Sequence, residues 1–485
     1  MARARAAWLA LAALAALAVI AGAQEPQAPG ADAAVAAASY DAAPAEPTAV
    51  PASTTGDLGQ PDDLTAADSA PPMPPPVLDG GAPADDGTPV KVKFARGTPK
   101  ELRGSAVKAR VAADKAAVRA ALANPAAAFT AHAARLRAEA AQLRAAGQAL
   151  PPNIAALAAA EAQGEGSPAL ARYRAAFASA LVEIESLNAE SGDSLAYGIT
   201  PVAHLPKDEF RALYLSGKKD AALQTGGAST LRASAPYSCK AATTWAGSKY
   251  ASVPLITNVD WRTSTPPTVT PVKDQGQCGS CVVFANNAAL EAAFILKYGG
   301  SGYTPANTDL SEQDHMECLA GDQCAGANGY EYIDRAFCKG VTWEASAPYT
   351  GRDTNKCPSV TRYMAGITGY SFVKGTINDL RRALQHNVVA IGVAADTNGF
   401  MYYKSGVFPC GSKGGLNHEV SLVAYNNAVS VKVGRRTQTW KVFTIKNSWG
   451  TGWGEQGFVR ARADCTGGGS LGIYSDAYLT VPLRD

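Results

Sequence analysis

Histidine is scarce in this chain, with five residues in 485. Chemistry that needs an imidazole therefore has few candidates: His132, His204, His315, His386 and His418. Neither sign of charge is in excess. Forty-four Lys and Arg stand against 42 Asp and Glu, a net charge of +2. That balance gives no electrostatic case for a nucleic-acid or strongly acidic partner. No Asn-x-Ser/Thr sequon occurs, so sorting that depends on an N-glycan has no support. Past the N-terminus no segment reads as apolar enough to cross a bilayer. Residues 24–97 hold few large apolar side chains, and "PPMPPPVLDGGAPADDGTP" is typical. So little burial cannot offset ordering entropy, and a disordered Ala/Pro-rich spacer is expected there.

The positive features begin with "MARARAAWLALAALAALAVIAGAQ". Arg3 and Arg5 precede a short apolar run, and Ala21-Gly22-Ala23 fits small-x-small cleavage. A signal peptide over 1–23 is expected, which sends the rest into the secretory pathway. Disulfides persist there. Nine cysteines is an odd number, so at least one thiol stays unpaired.

Composition shifts near Thr98. Residues 98–150 are alanine-rich, and alanine is the best helix former. Large apolar residues are sparse, which leaves a thin packing stripe, and His132 is expected at a solvated position. A second helical block occupies 151–216. Ser167-Pro168 suits a helix start. Phe177, Leu181, Ile184 and Leu187 or Asn188 then recur at three- and four-residue spacing, an amphipathic pattern. A break over 188–193 and a short helix over 206–215 follow. Residues 217–254, rich in Gly, Ser, Ala and Lys, read as an exposed connector open to proteolysis. From 255 to 485 the texture is globular. It starts helical and turns strand-rich in "NVVAIGVAA", "EVSLVAYNN", "WKVFTIKNS" and "GFVRARA". A helical half before a β half predicts an α+β domain of two lobes.

The stretch "DQGQCGSCVVFANNAALEAAF" carries Cys278 and Cys281. Such a pair serves as a redox dithiol, as half of a zinc site, or as one structural and one reactive cysteine. Cys281 opens an apolar helix that runs to about Tyr298, where Gly299 and Gly300 stop it. A helix N-terminus favours thiolate, the nucleophilic form. A reactive thiolate needs a base. His315, in the polar run "SEQDHMEC", is expected on the surface, and His386 is expected to be structural at a helix end. His418, in "GLNHEVSLVAY", enters an apolar strand after a Gly-rich turn, where a rigid scaffold presents an imidazole. A third group must orient the ring. Asn447, beside Trp449 in "TIKNSWGTGWGEQGF", supplies one.

Taken together, "QGQCGSC", "LNHEVSLVAY" and "KNSWGTGWGEQGF" resemble the papain-like cysteine proteases, in Cys–His–Asn order at separations of 137 and 29 residues. "LSEQDHMEC" and "EASAPYTG" extend the resemblance, which covers 259–481. It implies a two-lobed α+β fold, a helical lobe plus an antiparallel β-barrel-like lobe, preceded by a helical propeptide. It implies Cys281 as nucleophile, His418 as ion-pair partner and general acid/base, and Asn447 as the group that orients His418. Gln275 would donate a side-chain N–H to the oxyanion, beside the backbone N–H of Cys281. Trp449 would shield the His–Asn bond. The reaction implied is acyl transfer to Cys281 and hydrolysis of the thioester, with no cofactor and no metal. The family pattern pairs Cys278 with Cys324 and Cys318 with Cys357, and Cys410 with Cys465 would close the β lobe. Cys239 and Cys338 form a fourth bridge, or Cys239 leaves with the connector. On this reading the redox and zinc alternatives fall away.

"YRAAFASALVEIESLNAESGDSLAYGITPVAHLPKDEFRALYL" resembles the family's inhibitory propeptide. Phe177, Ile184 and Asn188 fit its helical motif, while Ala180 stands where an Asn is usual. A second motif is degraded to Gly198, Thr200, Val202 and His204. The resemblance implies that 151–216 is the inhibitory propeptide domain and that about 167–216 folds on the enzyme and lies backwards in its cleft. His204 stands in an acidic position. Its protonation below about pH 6.5 is expected to weaken docking, against the alternative of a surface histidine. Val282 replaces the usual tryptophan after the nucleophile, and "CAGANGY" alters the substrate wall around Gly326. "GIYSDAYLTV" resembles the floor of the main specificity pocket. Asp476 there would favour Arg or Lys at the second residue before the cut, against a solvated turn aspartate. The expected partners are protein or peptide substrates and the chain's own propeptide, with no nucleic acid and no membrane after signal cleavage. A monomer is expected, in the extracellular space or a lysosome or vacuole. The alternative is a catalytically weak or inactive homologue that binds a peptide or partner.

Overall fold

The computed structural model describes residues 92–94, 104–145, 150–215, 242–243 and 254–482, less 328, 363–366, 374–375, 397–398, 412–414, 434, 468 and 475–476. The expected signal peptide, most of the spacer and connector, Cys239 and Asp476 lie outside the described residues.

Among the described residues four helices come first: α1 (Gly104–Ala123), α2 (Pro125–Ala145), α3 (Pro152–Ala162) and α4 (Pro168–Glu190). The Ser167 hydroxyl caps α4, accepting from the Leu170 N–H at 3.1 Å, and Pro168 fills its first position. The stripe expected on α4 is buried as Phe177, Leu181, Ile184 and Asn188. The alanine-rich helices dock on this stripe through their few large residues. Phe129 of α2 meets Phe177 edge-on at 5.6 Å. Lys115 of α1 donates from Nζ to Asn188 O at 2.7 Å and to Ser191 Oγ at 2.8 Å, closing the C-terminal end of α4. Strand β1 (Leu195–Tyr197) and helix α5 (Lys207–Tyr214) complete this upstream unit.

Helix α6 (Cys281–Tyr298) is the axis of the following domain, and all its residues except Lys297 are buried. This corrects one sequence expectation. Extended to Ser301, it is long and apolar enough to cross a membrane by length and composition. It is instead 94% buried inside the fold, because Leu290, Phe294 and Ile295 pack against protein on every side. Helices α7 (Glu312–Glu317) and α8 (Gly329–Lys339) join it in the helical lobe. Ser311 caps α7 by accepting from the Asp314 N–H at 2.9 Å.

The second lobe is built on an eight-stranded sheet in the order β2 (Ala242–Thr243), β4 (Ile367–Phe372), β10 (Ala477–Pro482), β5 (Val389–Val393), β7 (His418–Val433), β8 (Arg436–Lys446) and β9 (Phe458–Arg462), with β3 (Asn258–Asp260) also paired to β7. All pairings are antiparallel except β2 with β4. Helix α9 (Ile377–Leu384) packs beside it. Strand β6 (Tyr403–Gly406) pairs not with this sheet but with β1 of the upstream unit, Leu195 opposite Gly406. Gly406 has φ +98° and touches Ser194 and Leu195 so closely that a Cβ has no room. Residues 92–94, expected to be disordered, are seated on the domain. Lys93 exchanges two backbone hydrogen bonds with Thr265, and Phe94 meets Trp261 edge-on at 4.9 Å.

Candidate active site

Cys281 is the first residue of α6, so its sulfur stands at the positive end of the helix. It is buried and is not in a disulfide. Its neighbour in sequence, Cys278, bonds to Cys324, and Gly279 N–H donates to Cys324 O at 3.0 Å. The loop before α6 is thereby fixed. Cys318 is bonded to Cys357 and Cys410 to Cys465. Loops of 39 to 55 residues place each bridge at about 4 kcal/mol in the loop-entropy account. Cys338 is disulfide-bonded as well.

His418 opens β7 opposite Val393 of β5, and Asn447 directly follows β8. Pairing of β7 with β8 brings the two together. His418 Nε2 lies 2.8 Å from Asn447 Oδ1. The Ser448 backbone N–H donates to the same Oδ1 at 2.8 Å, which identifies that atom as the amide oxygen. His418 Nε2 therefore carries the hydrogen, and in the neutral ring Nδ1 is the basic nitrogen. Trp449 covers the pair, its ring 4.7 Å from the imidazole. Trp453 packs on Trp449, Phe400 and Tyr403 as ordinary core.

Gln275 is fully buried and held at every polar atom. Its N–H donates to Ser448 O at 2.9 Å, and its Oε1 accepts from Ser448 Oγ at 2.7 Å. Its Nε2 faces two carbonyls, Cys278 O at 3.1 Å and Tyr214 O at 3.2 Å. Tyr214 belongs to α5 of the upstream unit. Phe210 and Tyr214 of that helix both meet Trp449 edge-on, at 5.3 and 5.8 Å. The upstream segment thus covers the indole and occupies one of the two N–H groups of Gln275.

Four charged residues missed by sequence reasoning lie in or beside a narrow cavity under the site. Lys273 Nζ reaches Glu291 at 3.1 Å and Glu312 at 2.8 Å, and Lys446 Nζ donates to Thr270 Oγ1 at 3.0 Å. Burial pushes the Glu312 carboxyl up to about 8 against the pull of Lys273, and pulls Lys446 down to about 8. The signal was available: Glu291 is a lone acid inside the apolar run of α6.

Two histidine expectations fail, for His315 and His132, and so does the surface alternative for His204. His315 is buried between Asn287 Oδ1 and Tyr332 O, each at 2.6 Å. His132 and His204 are also buried, and their Nε2 and Nδ1 lie 3.0 Å apart. Packing of α2 on α4 closes over both rings, which a helix read alone does not reveal. His386 follows α9 at its C-terminal end, as expected. Val282 is buried among Cys278, Phe284 and Met316, displacing no polar group of the site. Gly326 lies two residues past Cys324 with φ +98°. Among the described residues the one group with metal-ligand spacing is Asp314, Cys318 and Cys357, and its two sulfurs are bonded to each other.

The fold and site define a cysteine-type peptidase. The family model described as papain family cysteine protease matches residues 255–481. Cysteine proteinase 2 of Entamoeba histolytica is 35% identical over 237 residues, 47% of this chain and 69% of that protein. The chain belongs to the papain family of cysteine proteases. Two precursor structures resemble it. Recombinant stem bromelain precursor is 28% identical with a TM-score of 0.50, covering 64% of this chain and 92% of its own. Digestive procathepsin L 3 of the Tenebrio molitor larval midgut is 26% identical with a TM-score of 0.50, covering 66% and 94%. That coverage exceeds residues 255–481, so the likeness takes in helices upstream of the peptidase domain.

Proposed function

We propose that the chain is the zymogen of an endopeptidase in which Cys281 is the nucleophile and His418 its ion-pair partner. The Cys281 thiolate attacks the substrate carbonyl, and His418 Nδ1–H protonates the leaving amine. Water, deprotonated by His418, then hydrolyses the thioester. Asn447 holds the ring in the tautomer this requires, and Trp449 keeps water from the His–Asn bond. Gln275 Nε2 and the Cys281 N–H donate to the oxyanion. The observation that carries this reading is the Tyr214 carbonyl on Gln275 Nε2. In the precursor a peptide carbonyl of the chain itself takes a donor that the oxyanion needs.

Protein substrates and inhibition by a propeptide follow from the family, and the disulfides suit the secretory pathway. We further assign 98–216 to the inhibitory unit, with release by cleavage within 217–254. The product is a monomer in the extracellular space or a lysosome or vacuole, with no nucleic-acid partner and no membrane attachment after signal cleavage. The test is acid incubation of the purified precursor with N-terminal sequencing and a peptide reporter. Activity that appears with a new N-terminus in 217–254 supports the reading. Full activity of the uncut precursor contradicts it.

Gly452 probes the docking surface. A Cβ there would stand 2.8 Å from Pro201 Cγ of the upstream unit, its closest neighbour. Gly452→Ala is expected to weaken docking by about 1–3 kcal/mol. Maturation at a fixed acid pH should then be faster, with kcat/KM of the matured enzyme unchanged. Asp476 is proposed at the floor of the specificity pocket. Arg-Arg reporters should then exceed Phe-Arg reporters in kcat/KM, and Asp476→Asn should remove the difference.

A further inference from the structure

The motif "EASAPYTG" carries a side chain that the mechanism above leaves unused. Tyr349 Oη lies 2.5 Å from the Gln275 carbonyl oxygen and 2.6 Å from Ser280 Oγ. A carbonyl only accepts, so the phenol donates its hydrogen to Gln275 O. Ser280 Oγ–H in turn donates to the phenol oxygen. One hydroxyl thus ties together the two carriers of the oxyanion donors. Gln275 brings the side-chain amide. Ser280 is the N-cap residue of α6, directly before the Cys281 N–H. Tyr349 is itself held. Its N–H donates to Glu344 Oε1 at 2.7 Å, and its ring meets Phe284 of α6 edge-on at 4.9 Å. Burial pushes the phenol pKa further up, so the donor persists across the working range.

We infer that Tyr349 is a positioning residue that aims Gln275 at the developing oxyanion. The inference rests on the oxyanion role given to Gln275 above. Gln275's peptide is clamped from two sides, by Ser448 on its N–H and Tyr349 on its carbonyl. Without the phenol one clamp opens. The side-chain amide then loses part of the geometry on which oxyanion stabilisation depends.

The experiment compares Tyr349→Phe, Gln275→Ala and the double variant as acid-matured enzymes, with active sites titrated. Tyr349→Phe keeps the ring and its packing on Phe284. Its kcat is expected to fall about tenfold with KM little changed, and Gln275→Ala to fall about 10²-fold. Alkylation of Cys281 by iodoacetamide needs no oxyanion donor, so its rate should be unchanged in both. In the Gln275→Ala background, Tyr349→Phe should cost less than twofold more. An unchanged kcat in Tyr349→Phe alone overturns the inference. So does the same tenfold loss in the Gln275→Ala background, or a parallel loss of alkylation, since either marks a general structural role. A silent Gln275→Ala overturns the oxyanion assignment itself, and the inference with it.

Discussion

His418→Ala is expected to lower kcat of the matured enzyme by about 10⁶-fold, and Cys281→Ser by a comparable factor. In nucleophile–base catalysis, losing either partner costs about as much as losing both, because they act as a unit. Cys281 opens α6, His418 opens β7, and the Asn447 oxygen fixes the imidazole tautomer at 2.8 Å. Asn447→Ala should cost less, because it leaves the proton acceptor in place and removes only its orientation. The check is single-turnover and steady-state hydrolysis of a peptide reporter at titrated enzyme concentration. Slower alkylation of Cys281 in His418→Ala is the companion sign, because the thiolate loses its imidazolium partner.

Replacing His204 by glutamine should move acid maturation of the precursor down by about one pH unit. His132 and His204 form a chain with one consistent set of hydrogens. Arg135 Nη2 faces His132 Nδ1 at 3.4 Å, His132 Nε2 faces His204 Nδ1 at 3.0 Å, and His204 Nε2 faces Asn153 O at 3.0 Å. Each link has one donor and one acceptor only if both rings are neutral. A proton on His204 Nδ1 would point at the His132 N–H, and one on His132 Nδ1 would point at the Arg135 guanidinium. Tyr173 and Phe177 of α4 close the remaining faces with rings, and neither supplies a countercharge. Burial therefore pulls the His204 pKa down to about 4, and burial with the neighbouring His204 and Arg135 pulls His132 down to about 2.

The sign of the effect follows. These contacts all lie inside the upstream unit, so release here means its unfolding, which exposes both rings to titrate near 6.5. Below that pH the undocked state binds protons that the docked state refuses. Docking is fully stable above about 6.5 and weakens as pH falls toward 4. Two such groups cost about 2.7 kcal/mol per pH unit, and one costs about 1.4. With one group removed, the same loss needs about twice the fall in pH below 6.5. Glutamine keeps an N–H for Asn153 O and an oxygen for His132 without titrating. Maturation of His204→Gln and wild-type precursors across pH 4 to 6.5, followed by gel densitometry, measures the shift. An unchanged midpoint would sink the idea.

The candidate catalytic residues were legible because each sits at a recognisable element boundary. A cysteine before an apolar helix, a histidine entering a strand and an asparagine leaving one each announce their element. The chain order then joins them. Helix α4 was legible for the same reason, through the spacing of Phe177, Leu181 and Ile184. What was not legible is what depends on distant pairing. His132 and His204 are 72 residues apart, and each alone looks like a polar residue on a helix or loop. His315 looked exposed because its acidic neighbours suggested a solvated helix. α7 is instead wedged against α6, and Glu312 and Asp314 are buried with it. The Tyr214 carbonyl on Gln275 could not be read from side chains at all, because the contact is made by backbone. Val282 is buried in the apolar cluster with Cys278, Phe284 and Met316.

On the proposed function, Cys281 becomes a nucleophile only when the upstream unit leaves. The measurement is mass spectrometry of the protein after exposure to an epoxide-type active-site inhibitor, before and after acid maturation. One adduct is expected, on Cys281, in the matured enzyme, with none on the intact precursor and none in Cys281→Ser. Equal labelling of the precursor, or an adduct that survives Cys281→Ser, would contradict it.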